Sequence, residues 1–281
     1  MSFPAEQLAP FQLERDFAGG QRLGSREEQQ DAYAFSLIEA GGNADAAAGS
    51  LFVVLADGMG GHRGGREASS AAVQGAVDAL FSNIRDDGAA SAGASDPAWL
   101  TPGCMALVVA AANRAVDGAI RREPGEMEGA GTTFLALALT RKRLIWISVG
   151  DSLLLLWRAG KLGRLNADHS MRSILAEKVR RHEMPRADLT THPERNVLLS
   201  ALLGGNIEQI DAPSKPVDLL SGDVLIAASD GLLSLPGAEI AKLLGRLSGE
   251  SSHVVARSLL DAVMAKKNER QDNATVAVVH I

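Results

Sequence analysis

The chain is poor in the features that mark secreted, membrane-bound or nucleic-acid-binding proteins. It has one cysteine, Cys104, which excludes an internal disulfide and a multi-cysteine zinc site and fits a reducing compartment. In an apolar helical stretch such a residue is expected to be a small buried hydrophobe. Basic residues are not in excess: 28 Lys and Arg against 34 Asp and Glu give a formal net charge of -6 and a pI near 5.6. Phosphate backbones are held mainly by clustered cations, so a nucleic-acid partner is not expected. The opening segment MSFPAEQLAPFQLERD has neither a basic start nor an apolar run, and no signal peptide is visible in it. The most apolar stretch, Leu144 to Trp157, is too short for a membrane span and carries Asp151 in its middle. A cytoplasmic location without a membrane partner is the resulting expectation. The chain also lacks an internal repeat. Its glycine-rich residues 58 to 65, GMGGHRGG, contain neither G-x-G-x-x-G nor G-x-x-x-x-G-K-[ST], which removes the common nucleotide-binding loops.

What is present is a globular composition, 46% hydrophobic and 22% charged over 281 residues, sufficient to bury an ordinary core. Short β-rich runs stand at Ala32 to Ile38, Ser50 to Ala56, Thr132 to Thr140, Arg143 to Val149, Leu153 to Arg158, Asp223 to Ala228 and Ala274 to Ile281. Each is strand length, and most end at turn residues. Helical spacing of apolar residues marks Glu67 to Ile84, Met105 to Arg121 and His253 to Lys266. Strands follow one another across short turns in TTFLALALTRKRLIWISVGDSLLLLWRAGKLGRL, so successive strands are expected to pair antiparallel. A doubly wound parallel sheet would need a helix after nearly every strand. The segment Asp86 to Pro102, small, polar and proline-containing, reads as a mobile inter-helix loop. Ser170 to Asn196, with mixed periodicity, reads as an irregular surface excursion.

Aspartate recurs at strand ends. Asp57 follows LFVVLA, Asp151 follows LIWISVG, Asp230 follows VLIAAS, Asp272 precedes ATVAVVHI, and Asp31 adjoins AYAFSLI. One Asp-Gly pair after a strand is commonly only a turn. Five such placements point to carboxylates converging on one end of a sheet system. Converging carboxylates repel unless protonated or neutralised by cations, and oxygen-only ligands favour Mg2+ or Mn2+ over zinc. Glycines around Asp57 allow a tight bend that turns a main-chain carbonyl to the site. A phosphate monoester approaching such a cluster is repelled unless metals reverse the local sign, and two metals can also activate a water for in-line attack. Arg26 suits the phosphate oxygens because its planar fork binds them bidentately. The plainer reading of Arg26 is a surface pair with Glu27 or Glu28.

The set SREEQQD (25–31), ADGMGGHRGGREAS (56–69), GTT (131–133), VGDS (149–152), DHS (168–170), ASDGL (228–232) and DNATVAVV (272–279) resembles the PPM family, the metal-dependent protein serine/threonine phosphatases of type 2C, in its bacterial form. The motifs occur in the family's order. The resemblance implies an α+β fold, a four-layer α-β-β-α sandwich of two antiparallel sheets with outer helices, as a single domain over residues 1–281. It implies a metal-dependent phosphoprotein phosphatase with two tightly bound Mn2+ or Mg2+ ions and a third, weaker one. Asp57 would bridge the two ions and the Gly58 carbonyl would bind one of them. Asp230 and Asp272 would complete the other ion's carboxylate set. Asp31, with Gln30 beside it, would hold water just outside the ions, Asp151 with Asp230 would take the third ion, and Arg26 would hold the substrate phosphate. Residues 170–196 would be the family's flap. The implied partners are phosphorylated proteins, substrates of a serine/threonine kinase, met by a monomer.

Two positions depart from the family's pattern. Many eukaryotic members have His two residues after the bridging Asp, thought to protonate the leaving oxygen, where this chain has Met59; His62, or water at the metals, must then serve. Leu153 stands where Arg often follows the GDS motif, which weakens local charge pairing. Three other functions compete. Gly150-Asp151-Ser152-Leu153 spells the GDSL esterase signature, but lies mid-chain between two strands, with no Asp-x-x-His in the final hundred residues. A pseudophosphatase used as a binding platform would be marked by loss of a metal-binding Asp, and Asp57, Asp230 and Asp272 are all present. A metal-dependent phosphodiesterase or nuclease is disfavoured by the acidic balance.

Overall fold

A strand covered on both faces loses the polar alternation of a half-exposed strand and reads as a continuous apolar run. That is the state of the central runs of this chain in a computed structural model, which describes residues 10–38, 50–60, 64–86, 97, 99–125 and 127–281. In chain order the elements are β1 (Phe17–Arg22), β2 (Asp31–Ile38), β3 (Ser50–Met59), α1 (Gly64–Asp86), α2 (Pro102–Arg122), β4 (Gly131–Thr132), β5 (Phe134–Leu139), β6 (Arg143–Val149), β7 (Leu153–Arg158), β8 (Lys161–Arg164), α3 (Met171–Arg180), α4 (Arg186–Thr191), β9 (Val217–Asp218), β10 (Val224–Ala228), a 3-10 turn (Asp230–Ser234), α5 (Gly237–Arg246), α6 (Ser252–Ala265) and β11 (Ala274–His280).

The strands form two antiparallel sheets, one in the order β1-β11-β10-β7-β8 and the other β2-β3-β5-β6-β9, with β4 added to β3. Alternate side chains of each strand enter different layers, as the period of two requires. In β5, Leu135, Leu137 and Leu139 fill the layer between the sheets, while Phe134, Ala136 and Ala138 face the layer under α1 and α2. In β10, Leu225 and Ala227 point between the sheets, and Val224, Ile226 and Ala228 pack with the inner faces of α5 and α6. Three apolar layers thus sit inside four structural ones, the expected α-β-β-α sandwich. Each large side chain so buried contributes about 1.5–3 kcal/mol.

Several expectations are corrected. Successive strands do not all pair: β5 pairs β6 and β7 pairs β8, but β6 and β7 lie in different sheets. The turn between them, Gly150-Asp151-Ser152, crosses from one sheet to the other. Gly150 makes the crossing with φ +95, and a Cβ there would stand 2.8 Å from the Thr133 side chain. Ser170 to Asn196 is not irregular but holds α3 and α4. Of the loop before α2, residues 87–96 and 98 lie outside the described residues, yet Trp99 and Leu100 are buried in the core. Thr101 caps α2, accepting from the Cys104 amide, so that helix begins earlier than its apolar spacing suggests. Cys104 is buried as expected. By length and composition α2 is the one helix among the described residues that would suffice to cross a membrane. Its face of Met105, Val108, Ala112 and Val116 is instead fully buried in the layer beneath α1.

Candidate metal centre

Asp31 opens β2 and Asp57 lies near the end of β3, and the register of the two strands sets them opposite each other. Both ends of Asp57's backbone are fixed: its amide donates to Thr133 Oγ1 at 2.9 Å, and its carbonyl accepts from the Thr133 amide and Thr132 Oγ1. The next residue has no room for a side chain, because a Cβ on Gly58 would meet the Gly65 carbonyl oxygen at 2.1 Å and that of Gln30 at 2.6 Å. This close approach, rather than turn chemistry alone, is what the glycines around Asp57 provide, and it brings the start of α1 against the strand end.

The opposite sheet contributes the other carboxylates. Asp230 begins the 3-10 turn after β10 and Asp272 precedes β11. Asp31 ties the two sheets together: its Oδ2 accepts from Ser229 Oγ at 2.7 Å and Thr275 Oγ1 at 2.6 Å, while its Oδ1 is buried without a partner. Asp151, 3% exposed, sits in the crossing turn. That turn is held by His169, whose amide donates to the Gly150 carbonyl and whose Nδ1 accepts from the Gly150 amide at 3.3 Å.

The five aspartates feel one another. Burial pushes Asp57 well above the usual carboxylate range, and the charges of Asp31, Asp230, Asp151 and Asp272 push it further. Asp230 is raised to about 7, first by burial and then by Asp151 and Asp272, with Arg172 opposing. Asp31 is raised by burial against the hydrogen bonds from Thr275 and Ser229. Asp151 is raised by burial, opposed by Arg172. Among the described residues no three acidic, imidazole or thiol groups are drawn closely enough together to hold a metal ion as they stand. The register instead puts Asp151, Asp230 and Asp272 at one end of the first sheet, and Asp31 and Asp57 opposite each other in the second, so the carboxylates form an open ring rather than a closed ligand shell. An unpartnered buried carboxylate oxygen, an all-oxygen donor set and an excess of negative charge fit a hard divalent cation. Asp57, the Gly58 carbonyl, Asp230 and Asp272 could hold such ions.

Arg26 stands at the rim. Its Nη2 donates to Asp272 Oδ2 at 2.5 Å and the side chain is 57% exposed. The plainer alternative, a surface pair with Glu27 or Glu28, is not the pair formed: Arg26 pairs with Asp272, and Glu28 pairs with Arg66 at 3.0 Å. Ser152 is 1% exposed and shares a 2.8 Å hydrogen bond with Thr133 Oγ1, so it has neither the access nor the base that an esterase nucleophile requires. Leu153 is buried in the layer under α5 and α6, and the charge expected beside the GDS motif comes from elsewhere. Arg164 of β8 donates to the carbonyls of Asp151 and Ser152 and to Asp168. Met59 pairs with Gly131 across the β3–β4 ladder, and His62 lies outside the described residues.

Sequence reasoning missed Arg172, Arg164, Ser229 and Thr275. The i, i+4 spacing of Asp168 and Arg172 and the motifs ASDGL and DNATVAVV contained three of these, without indicating where their side chains would point.

Residues 18–196 match the family model described as protein phosphatase 2C. The chain is 30% identical over 234 residues to the serine/threonine phosphatase stp of Listeria innocua, covering 81% of this chain and 83% of that protein. It is 28% identical over 246 residues to the serine/threonine protein phosphatase PstP of Mycobacterium tuberculosis, covering 87% of this chain but 43% of that longer protein. A crystal structure of the catalytic domain of PstP in complex with two manganese ions superposes with a TM-score of 0.67 at 24% identity, over 94% of this chain and 96% of that one, and so shares the fold. With its motifs spread over both sheets and meeting at one carboxylate ring, the chain belongs to the protein phosphatase 2C family.

Proposed function

We propose that this chain removes phosphate from phosphoserine and phosphothreonine side chains of other proteins, with Asp57, the Gly58 carbonyl, Asp230 and Asp272 holding two Mn2+ or Mg2+ ions and Arg26 holding the phosphate. The chain is a metal-dependent phosphoprotein phosphatase. The observation that carries the reading is the set of five aspartates brought from separate segments to the ends of paired strands beside an exposed arginine. When bound, the ions would supply Lewis acidity and activate a water for attack on phosphorus. Arg26 presents five N–H donors and spends one on Asp272, leaving its outer edge for phosphate oxygens. Asp31, with Oδ2 fixed by Ser229 and Thr275, has its buried Oδ1 left over and would hold water just outside the ions with it. Met59 has no proton to give, so the leaving oxygen takes its proton from water or from His62.

The finer features belong to the same proposal. Asp151 with Asp230 is the location of a third, weaker ion, and residues 170–196 act as a flap on one domain spanning 1–281. The substrates are products of a serine/threonine kinase, and the chain works as a cytoplasmic monomer without nucleic acid or membrane partners. Purified protein should hydrolyse 4-nitrophenyl phosphate and a phosphothreonine peptide with Mn2+ or Mg2+ and stop in EDTA. Full activity after exhaustive chelation would sink the proposal, and faster turnover of bis(4-nitrophenyl) phosphate than of the monoester would redirect it to a phosphodiesterase.

A further inference from the structure

The first turn of α3 contains no acidic residue, and its second position is Arg172. A cation there is opposed by the positive end of the helix, where carboxylates are favoured. Arg172 is nevertheless turned inward, 21% exposed, towards three carboxylates from three different segments. Its Nη1 lies 3.7 Å from Asp151 Oδ2 and 3.9 Å from Asp168 Oδ2, and its Nη2 lies 4.0 Å from Asp230 Oδ2. Nη2 also donates to Asn196 Oδ1 at 2.9 Å, at the far end of the flap. Nη1 is buried and makes no hydrogen bond. These spacings suit ion pairs and are too long for hydrogen bonds. The guanidinium is therefore shared among the three carboxylates rather than fixed to one. Arg164 differs: it is committed to Asp168 at 2.9 Å and to the carbonyls of Asp151 and Ser152.

We propose that Arg172 is the built-in cation of the Asp151–Asp230 pair, standing where a third divalent ion would bind, so that docking of α3 and binding of that ion compete for the same carboxylates. The inference rests on the two-ion phosphatase reading. Arg172 acts as a positioning residue: its charge helps to hold the flap on the rim of the cleft, beside the buried Leu175 of α3. An ion that takes Asp151 and Asp230 displaces it, and α3 loses the contact that offsets the helix-end penalty. Metal supply would thereby set the position of the flap.

The test is a titration of the metal-free chain with Mn2+, counting bound ions from the free-ion EPR signal and following α3 by hydrogen exchange, with α6 as internal reference. Wild type should bind two equivalents tightly and a third only weakly, with exchange in α3 rising as the third binds. In Arg172→Gln the third equivalent should tighten by about tenfold or more, since a unit charge some 4 Å away is removed. Exchange in α3 should already be fast without metal, while α6 stays protected. Adding Asp151→Asn should abolish the tightened equivalent. Arg172→Lys keeps the charge and should leave the third equivalent near its wild-type affinity; should the Gln variant not fold, Arg172→Met, which removes the charge but keeps the stem, carries the test, and no tightening there overturns the inference. A third equivalent and α3 exchange both as in wild type in Arg172→Gln overturn it while leaving the two-ion reading intact. Absence of any tight Mn2+ in wild type overturns the phosphatase reading itself.

Discussion

β10 has an aspartate beyond each of its ends, and the two are treated in opposite ways. Before its first residue, Asp223 is 1% exposed and gripped by Arg158, whose Nε reaches Oδ1 at 2.8 Å and Nη2 reaches Oδ2 at 2.5 Å; the Leu220 amide adds a third donor. On the same end of the sheet, Asp16 is paired with Arg141 at 2.5 Å. Past the other end of β10, Asp230 has no guanidinium nearer than 4.0 Å among the described residues and faces further aspartates instead. One strand thus separates a region where every buried negative charge is matched from one where charge is left over. The matched end serves stability, because a buried carboxylate with its arginine removed is costly. At the unmatched end, a cost in the metal-free chain is accepted for the sake of ions that offset it.

Asp57→Asn should break the unmatched end with the largest effect. Turnover should fall by several orders of magnitude, while the metal-free variant melts at or above the temperature of metal-free wild type, because one of several repelling charges is gone. Two unit charges about 4 Å apart interact by roughly 4 kcal/mol at an effective dielectric of 20, reduced by solvent in an open cleft. Added Mn2+ should stabilise wild type more than the variant. Turnover like wild type would remove Asp57 from the ion site, and a sharply lowered metal-free melting temperature would make it a structural turn.

Arg158→Met should give the converse result. It leaves Asp223 buried without its fork, and since Arg158 is itself partly exposed the loss should be about 2–3 kcal/mol of stability, read in urea unfolding. kcat/KM per folded molecule should be unchanged. A loss of turnover without a loss of stability would mean that the two ends are not independent.

Arg26→Ala should lie between these extremes. Losing a charge-assisted contact to phosphate should lower kcat/KM by about 1.5–3 kcal/mol with little change in melting temperature. An unchanged kcat/KM would return Arg26 to the surface.

The smallest expected effect is on pH dependence. Asp230 is raised to about 7, so between the ordinary carboxylate range and pH 7 the folded metal-free chain binds more protons than the unfolded one. Stability must then fall as pH rises through that window. The metal-free melting temperature should drop by a few degrees from pH 5 to pH 7.5, and Asp230→Asn should flatten that slope. A melting temperature that climbs over the same range would show that Asp230 is not strained by its neighbours.

Much of this contrast was legible in the sequence. Runs such as LFVVLA and FLALAL read as strands because both of their faces are buried, and the aspartates at their ends are local to them. β1, FAGGQR, and the edge strand β8, KLGR, carry too little apolar signal; β1 owes its structure to β11, distant in the chain, and β8 to the adjacent β7. α5 follows Pro236 without a side-chain cap, and its start is marked only by that proline and by Glu239 in the first turn. The sheet change at Gly150 was not legible, since short turns between strands ordinarily predict pairing. Arg172 was hidden for a related reason: beside Asp168 it reads as an exposed helical pair, and only tertiary packing brings Asp151 and Asp230 to it.

The position of β11 bears on when the ring can exist at all. This strand, late in the chain, lies between β1, near its beginning, and β10. It carries Thr275, which holds Asp31, and Asp272 just before it. Neither the first sheet nor the inter-sheet link at Asp31 is complete until β11 is inserted, and pairings of such wide sequence separation form late because loop closure precedes their reward. From this topology, catalytic competence is expected only once β11 is paired. A partly folded chain offers a scattered set of acidic side chains and no place for an ion, so the geometry that makes the enzyme also keeps its precursors silent.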